Sequence, residues 1–120
     1  MPENRNAFKL EVVGALTTGV KDRWEAPFNG EITGIAVAVG TAPTGAAAIF
    51  DLVKNGTTVY STTANRPTVA ISALETAGAG AGVPDVKAFA AGDTIELNVV
   101  QVGSSVAGAD ADVVVAYIAT

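Results

Sequence analysis

Short runs of apolar residues, many alternating with polar ones, recur between Gly, Pro, Asn and Asp along the whole chain. A period of two is the mark of half-buried β-strands. The first run is Ala7 to Leu16, and the second is Gly19 to Ala26, closed by Pro27. Asn29-Gly30 signals a turn. Glu31 to Val39 alternates most regularly, with Ile35, Val37 and Val39 on one face and Gly34, Ala36 and Ala38 on the other. That small second face implies either close approach of another layer or a bland outer surface. Gly40 to Gly45 reads as a loop. Ile49 to Lys54 and Thr57 to Thr62 then flank Asn55-Gly56. Asn-Gly between two strands predicts a two-residue type I′ hairpin, because both residues tolerate positive φ.

Thr68 to Ser72 is a further extended piece, entered through Arg66-Pro67, where proline's missing N–H does least harm. Ala73 to Ala77 is compatible with one helical turn and is too short to assign. The Ala77 to Gly82 tract, AGAGAG, reads as a flexible loop. Asp85 to Phe89 is a candidate short strand. Gly92-Asp93 launches Thr94 to Val102, whose phase breaks at Val99-Val100 and so predicts a β-bulge. Asp112 to Ala119 closes the chain.

Eight or nine short strands joined by turns predict an all-β fold, a single-domain antiparallel β-sandwich. A parallel βαβ sheet would need helical stretches of roughly 10–15 residues between strands. With eight strands, two Greek keys folded into a jelly roll is the most economical winding. The 120 residues suit one domain. Residues 7–120 read as the sandwich. Residues 1–6, MPENRN, lack apolar periodicity and read as an N-terminal arm.

Composition narrows the chemistry. Of the apolar residues, 23 are Ala and 17 are Val, so the core should be thin and β-branched. The chain has no Cys and no His, which removes disulfides, thiolate chemistry, the commonest general base and the commonest metal ligand. A net charge of -5 argues against a basic nucleic-acid surface. The longest uninterrupted apolar run, Val113 to Ala119, is far short of the roughly 20 residues a spanning helix needs. No signal-peptide segment opens the sequence, so the expectation is synthesis and folding in a cytoplasm.

Each candidate motif has a plain alternative. Asn55-Gly56-Thr57 matches a glycosylation sequon and reads better as a turn. Gly78 to Gly82 lacks the Lys-Ser or Lys-Thr of a phosphate loop. Asp110 and Asp112, with Asp93, offer hard oxygens for Ca²⁺ but lack the spacing of an EF-hand, and read as solvated turn residues. Asp51 with Lys54, and Glu25 with Arg23, read as decoration on solvent faces of strands. Ser104-Ser105 has no His to activate it. No catalytic residues, metal ligands or cofactor are expected. Trp24 and Phe28 are core candidates, with an interface anchor as the alternative, since aromatics and Arg are enriched at hot spots and Arg23 lies beside Trp24.

Two segments carry a resemblance. One is Asp51 to Val69, DLVKNGTTVYSTTANRPTV, and the other is Asp85 to Gly103, DVKAFAAGDTIELNVVQVG, continuing into ADADVVVAY. Their ordered string of a K-N-G-T-T-V hairpin, an N-R-P-T strand start, an A-A-G-D turn and a Q-V-G-S turn resembles a β-sandwich module of tailed-bacteriophage virion proteins. Similar modules occur in capsid decoration proteins, head fibres and tail fibres. The module makes up nearly all of this chain, which resembles a stand-alone head decoration protein.

The resemblance implies a non-enzymatic structural protein on the outer surface of the phage capsid, bound to the major capsid protein and stabilising the shell. It implies self-association, as a trimer, and no nucleic acid or membrane partner. The alternative is a tail- or head-fibre module that contacts the host surface. The contact residues expected are Pro2, Glu3, Asn4, Arg5, Asn6 and Phe8 of the arm, with Arg23, Trp24 and one Ala/Val-rich sheet face.

Overall fold

A computed structural model describes residues 5–76 and 82–120. The strands among them are β1 (Arg5–Ala15), β2 (Gly19–Glu25), β3 (Gly30–Thr41), β4 (Ala48–Lys54), β5 (Thr57–Thr58), β6 (Thr68–Val69), β7 (Ala88–Phe89), β8 (Thr94–Gln101) and β9 (Ala109–Ala119). They form two antiparallel sheets, ordered β1-β9-β3-β7 and β2-β8-β4-β5, with β6 pairing the other end of β4. The fold is the β-sandwich that the alternation predicts.

The pairing is nested. β4 pairs β5, β3 pairs β7, β2 pairs β8 and β1 pairs β9. Successive pairs fall in opposite sheets, so one long hairpin folded over itself supplies both layers. The ladders of β3 with β9 and of β4 with β8 join the pairs within each sheet.

Alternation decides which face turns inward. Leu10 and Val12 of β1, Ile35, Val37 and Val39 of β3, and Val113 and Val115 of β9 are buried in the first layer. Phe50 and Leu52 of β4 and Ile95, Leu97 and Val99 of β8 oppose them from the second. Removing these faces from water is the main force holding the layers together.

Bulges curl the sheets. In β8, Val99 opposes Phe50 while Gln101 opposes Ile49, which leaves Val100 as the extra residue. The predicted phase break is thus a bulge. Another separates Val12 from Ala15, where the Gly14 N–H donates to Asp110 Oδ1 at 2.7 Å. Between the two edge strands β1 and β2, Asp22 Oδ2 accepts the Glu11 N–H at 3.0 Å. That bond occupies an edge N–H otherwise open to a foreign strand.

Several boundaries differ from the sequence reading. β1 starts at Arg5, so Arg5 and Asn6 are strand residues opposite Ile118 and Tyr117, and only residues 1–4 remain for an arm, outside the described residues. The strand expected over Thr57 to Thr62 ends at Thr58. Val59 and Tyr60 are both buried, which departs from period-two alternation, and a 3-10 turn follows at Thr63–Asn65. The piece expected from Thr68 to Ser72 is strand only at Thr68 and Val69, and Ser72 lies in a turn with φ of 64°. Residues 73–76 do not form a helical turn. Glu75 bridges Ala38, and Leu74 O accepts the Val39 N–H at 2.8 Å, so this segment extends sheet pairing along β3. Of the region from Asp85 to Phe89, only β7 is strand, since the Asp85 and Val86 N–H groups both turn to Val59 O. The loop reading of Gly78 to Gly82 falls mostly on 77–81, outside the described residues.

The Asn55-Gly56 turn has φ of 50° and 86°, both in the region a type I′ turn requires. It is tied to the turn before β8. Asn55 Nδ2 donates to Asp93 Oδ1 at 2.8 Å, and Asn55 Oδ1 accepts the Thr94 N–H at 2.9 Å. Asp93 Oδ2 also accepts the Ala90 N–H at 2.8 Å. The Ala90 N–H, and next the Asn55 amide, hold the Asp93 carboxyl below its usual range. A lowered folded-state value means that ionised Asp93 stabilises the fold above the ordinary carboxylate range, and that this is lost as pH falls through the lowered value. Asp93→Asn should therefore show a shallower loss of stability than the wild type below about pH 4. Urea denaturation across an acid pH series checks this, and parallel curves would contradict it.

Candidate functional site

The sequence-predicted contact residues separate into four groups. Pro2, Glu3 and Asn4 lie outside the described residues. Arg5 and Asn6 are held in β1 by β9. Phe8 and Trp24 come together, with ring centroids 3.9 Å apart and an interplanar angle of 11°. Arg23 is not part of that contact. It is exposed on β2 opposite Glu96, on the reverse face from Trp24.

Phe8 and Trp24 belong to a larger cluster at one end of the sandwich. Phe89 stands edge-on to Trp24 at 5.6 Å, Tyr117 tilts against it at 5.8 Å, and Phe28 meets it at 6.3 Å. Five of the chain's seven aromatic residues gather there. Offset and edge-to-face contacts suit the ring quadrupoles. Gly30 makes room for this packing, since a Cβ there would lie 2.5 Å from Phe89 Cζ and 2.8 Å from Ile118 O. The cluster packs against the core and is part of the sandwich's own closure.

The Ala/Val-rich face is the outer face of the β1-β9-β3 sheet. Register places Ala7, Ala116 and Gly34 side by side across the three strands. The next row is Lys9, Val114 and Ala36, and the one after it is Glu11, Asp112 and Ala38. Among the described residues no second layer covers Ala36, Ala38 or Val114, and these residues present the small face of β3 as a bland outer surface.

An open depression of about 260 Å³ lies on this face, floored by Ala36, Ala38 and Val114 and walled by Lys9, Asp112 and Glu75. Lys9 Nζ is 3.6 Å from Asp112 Oδ1 and 3.7 Å from Glu11 Oε2. All three side chains are about half exposed, so these pairs set the local charge pattern and add little stability. Glu75 reaches the opposite wall because the 74–76 segment pairs with β3, where Thr76 Oγ1 accepts the Val37 N–H at 3.2 Å.

Gly34, Ala36 and Ala38 gave a sequence signal for the floor. Glu75 gave none, because its position depends on pairing across more than thirty residues of chain.

The three aspartates considered for Ca²⁺ have separate partners. Asp93 holds Asn55 and the Ala90 N–H, Asp110 holds the Gly14 N–H, and Asp112 faces Lys9. Among the described residues no three Asp or Glu side chains come together as a metal site. No helix among the described residues is long and apolar enough to cross a membrane. No protein-family model matches the sequence, and no curated protein matches it.

A flat platform of Gly, Ala and Val lets another surface approach the sheet closely. The charged rim restricts which orientation fits.

Proposed function

We propose that this protein is a non-enzymatic structural component of a tailed-phage virion, and specifically a decoration protein bound to the outer surface of the capsid. The observation that carries the reading is the uncovered small-residue platform of the β1-β9-β3 sheet, combined with the hairpin and turn motifs that resemble virion modules. The nested strand order supports a jelly-roll winding, since β1-β9-β3-β7 against β2-β8-β4-β5 is what two Greek keys folded together produce.

The platform docks against the major capsid protein. Self-association as a trimer would make several such contacts at once, and contacts that are weak alone become firm when made by one oligomer. The function is mechanical: added buried area between capsid subunits resists expansion of the shell.

Cosedimentation with undecorated capsids tests the reading. The wild type should bind shells saturably. Ala36→Arg puts a long charged side chain on the platform and should weaken binding about tenfold or more without lowering the melting temperature, because Ala36 is exposed. A chain lacking residues 2–4 separates any arm contribution from the face; the deletion must stop before Arg5, where β1 begins. No wild-type binding to shells at any concentration would overturn the decoration reading, and binding to host cells in its place would favour the fibre module.

A further inference from the structure

We propose that Asn55-Gly56 is a latent modification site, at which water converts the Asn55 amide to a carboxylate, and that the bonds from Asn55 to Asp93 and Thr94 keep it closed in the folded chain.

The chemistry needs only this dipeptide, base and water. The Gly56 backbone nitrogen, after losing its proton to base, attacks Asn55 Cγ. The new N–Cγ bond forms as the Cγ–Nδ2 bond breaks, and ammonia leaves with a proton from water. Water then opens the cyclic imide at either carbonyl, giving aspartate or isoaspartate at position 55. Nothing is oxidised or reduced. Glycine favours the step because no side chain crowds the attacking nitrogen.

Burial gives no protection here. Asn55 and Gly56 are both exposed, and nothing lies within 4 Å of where a Gly56 Cβ would be. Protection comes from the carboxamide's own partners. Its Nδ2 donates to Asp93 Oδ1 at 2.8 Å and its Oδ1 accepts the Thr94 N–H at 2.9 Å, while the Asn55 N–H donates to Thr94 O at 2.9 Å. To bring Cγ onto the Gly56 nitrogen, both carboxamide bonds must break. The bond to Asp93 is charge-assisted and the stronger of the two.

The product cannot restore the tie. A carboxylate at position 55 has no N–H to give Asp93, and sets two like charges together. Opening long enough to react is therefore one-way. The site separates chains whose hairpin tip has stayed docked from chains that have spent time frayed or unfolded. This inference stands independently of the virion reading.

The test is incubation in mildly alkaline buffer, followed by peptide mapping that resolves Asn, Asp and isoAsp at position 55. The wild type should react slowly when folded and much faster in urea. Asp93→Ala, still folded, should react about tenfold faster than the wild type or more. Val113→Ala destabilises the opposite sheet without touching the turn, and should stay close to the wild-type rate. In the wild type, sub-denaturing urea should raise the reaction in step with hydrogen exchange of the Thr94 amide, a readout that needs no variant.

Equal rates for folded and unfolded wild type would overturn the proposal. So would an unchanged rate in folded Asp93→Ala, or equal acceleration in Val113→Ala. Asn55→Asp gives the product directly. Its stability deficit against the wild type should widen as pH rises through the carboxylate range, and a deficit that does not vary with pH would contradict the one-way step.

Discussion

Arg66→Ala is expected to lower the stability of this protein by about 3 kcal/mol, because it leaves a buried carboxylate without its cation. The carboxylate is Asp51, on β4, whose side chain is 6% exposed. β4 is buried on both faces at this point, with Phe50 and Leu52 in the core and Asp51 on the reverse side. Thr58 Oγ1 donates to Asp51 Oδ1 at 2.6 Å, and Arg66 Nε stands 3.7 Å from Oδ2. That Nε is itself buried and has no hydrogen-bond partner among the described residues, so its pairing with Asp51 is held by charge and not by a formed hydrogen bond.

Nearby, burial pushes the Tyr60 phenol up, with Asp51 and Asp85 adding to the effect, so Tyr60 stays neutral and donates to Gly82 O at 3.0 Å. Removing Arg66 leaves Asp51 in this setting with one neutral donor. A loss of that size corresponds to a fall in melting temperature of roughly 10–15 °C. Asp51→Asn on the Arg66→Ala background should recover at least half of it, since the amide still accepts the Thr58 hydroxyl and carries no charge. Thermal and urea melts of the single and double variants decide the matter. An Arg66→Ala protein as stable as the wild type would show that the pair contributes nothing.

Asp51 also shows where sequence reading stops. Alternation along β4 puts it opposite Phe50 and Leu52, and a carboxylate in that phase reads as solvent-facing. The cover comes from Thr58 and Arg66, which the chain brings back only after the Asn55-Gly56 turn. Local pattern carries no information about that return. The same limit applies to Thr57 to Thr62, whose composition is that of a strand. Pairing with β4 runs out at Val59, whose N–H still donates to Leu52 O at 3.0 Å, and Val59 and Tyr60 are then both buried, out of step with a period of two.

By contrast, the long strands were legible because period-two burial fixes their phase directly. The Val99-Val100 bulge was legible for the same reason, as a break in that phase. The hairpin was legible because few dipeptides other than Asn-Gly meet its backbone demand. Of the proposed contact surface, the small floor could be read from β3 alone. The charged rim could not, since Lys9, Asp112 and Glu75 meet only through three separate pairings.

Trp24→Ala is expected to cost about 3–4 kcal/mol, the range for deleting a large aromatic from a packed site. Sequence reading weighed Trp24 as core against Trp24 as contact anchor, and the two make opposite predictions. Stacked on Phe8 and flanked by Phe28, Phe89 and Tyr117, the indole joins β2 to β1, β7 and β9 across the two sheets. Its removal opens a void among rings that are fixed by strand register and cannot collapse far. Trp24→Phe keeps a ring in place and should cost much less.

Capsid cosedimentation of the folded fraction completes the test. If the cluster is internal mortar, folded Trp24→Ala binds shells with wild-type affinity, while Ala36→Arg loses binding at unchanged stability. The converse pattern, unchanged stability with lost binding for Trp24→Ala, would move the contact from the platform to the aromatic end. Trp24 is the chain's one tryptophan, so the wild type's own fluorescence reports on the cluster during unfolding. That signal should change together with global unfolding, because the rings it senses belong to β1, β7 and β9 as well as to β2.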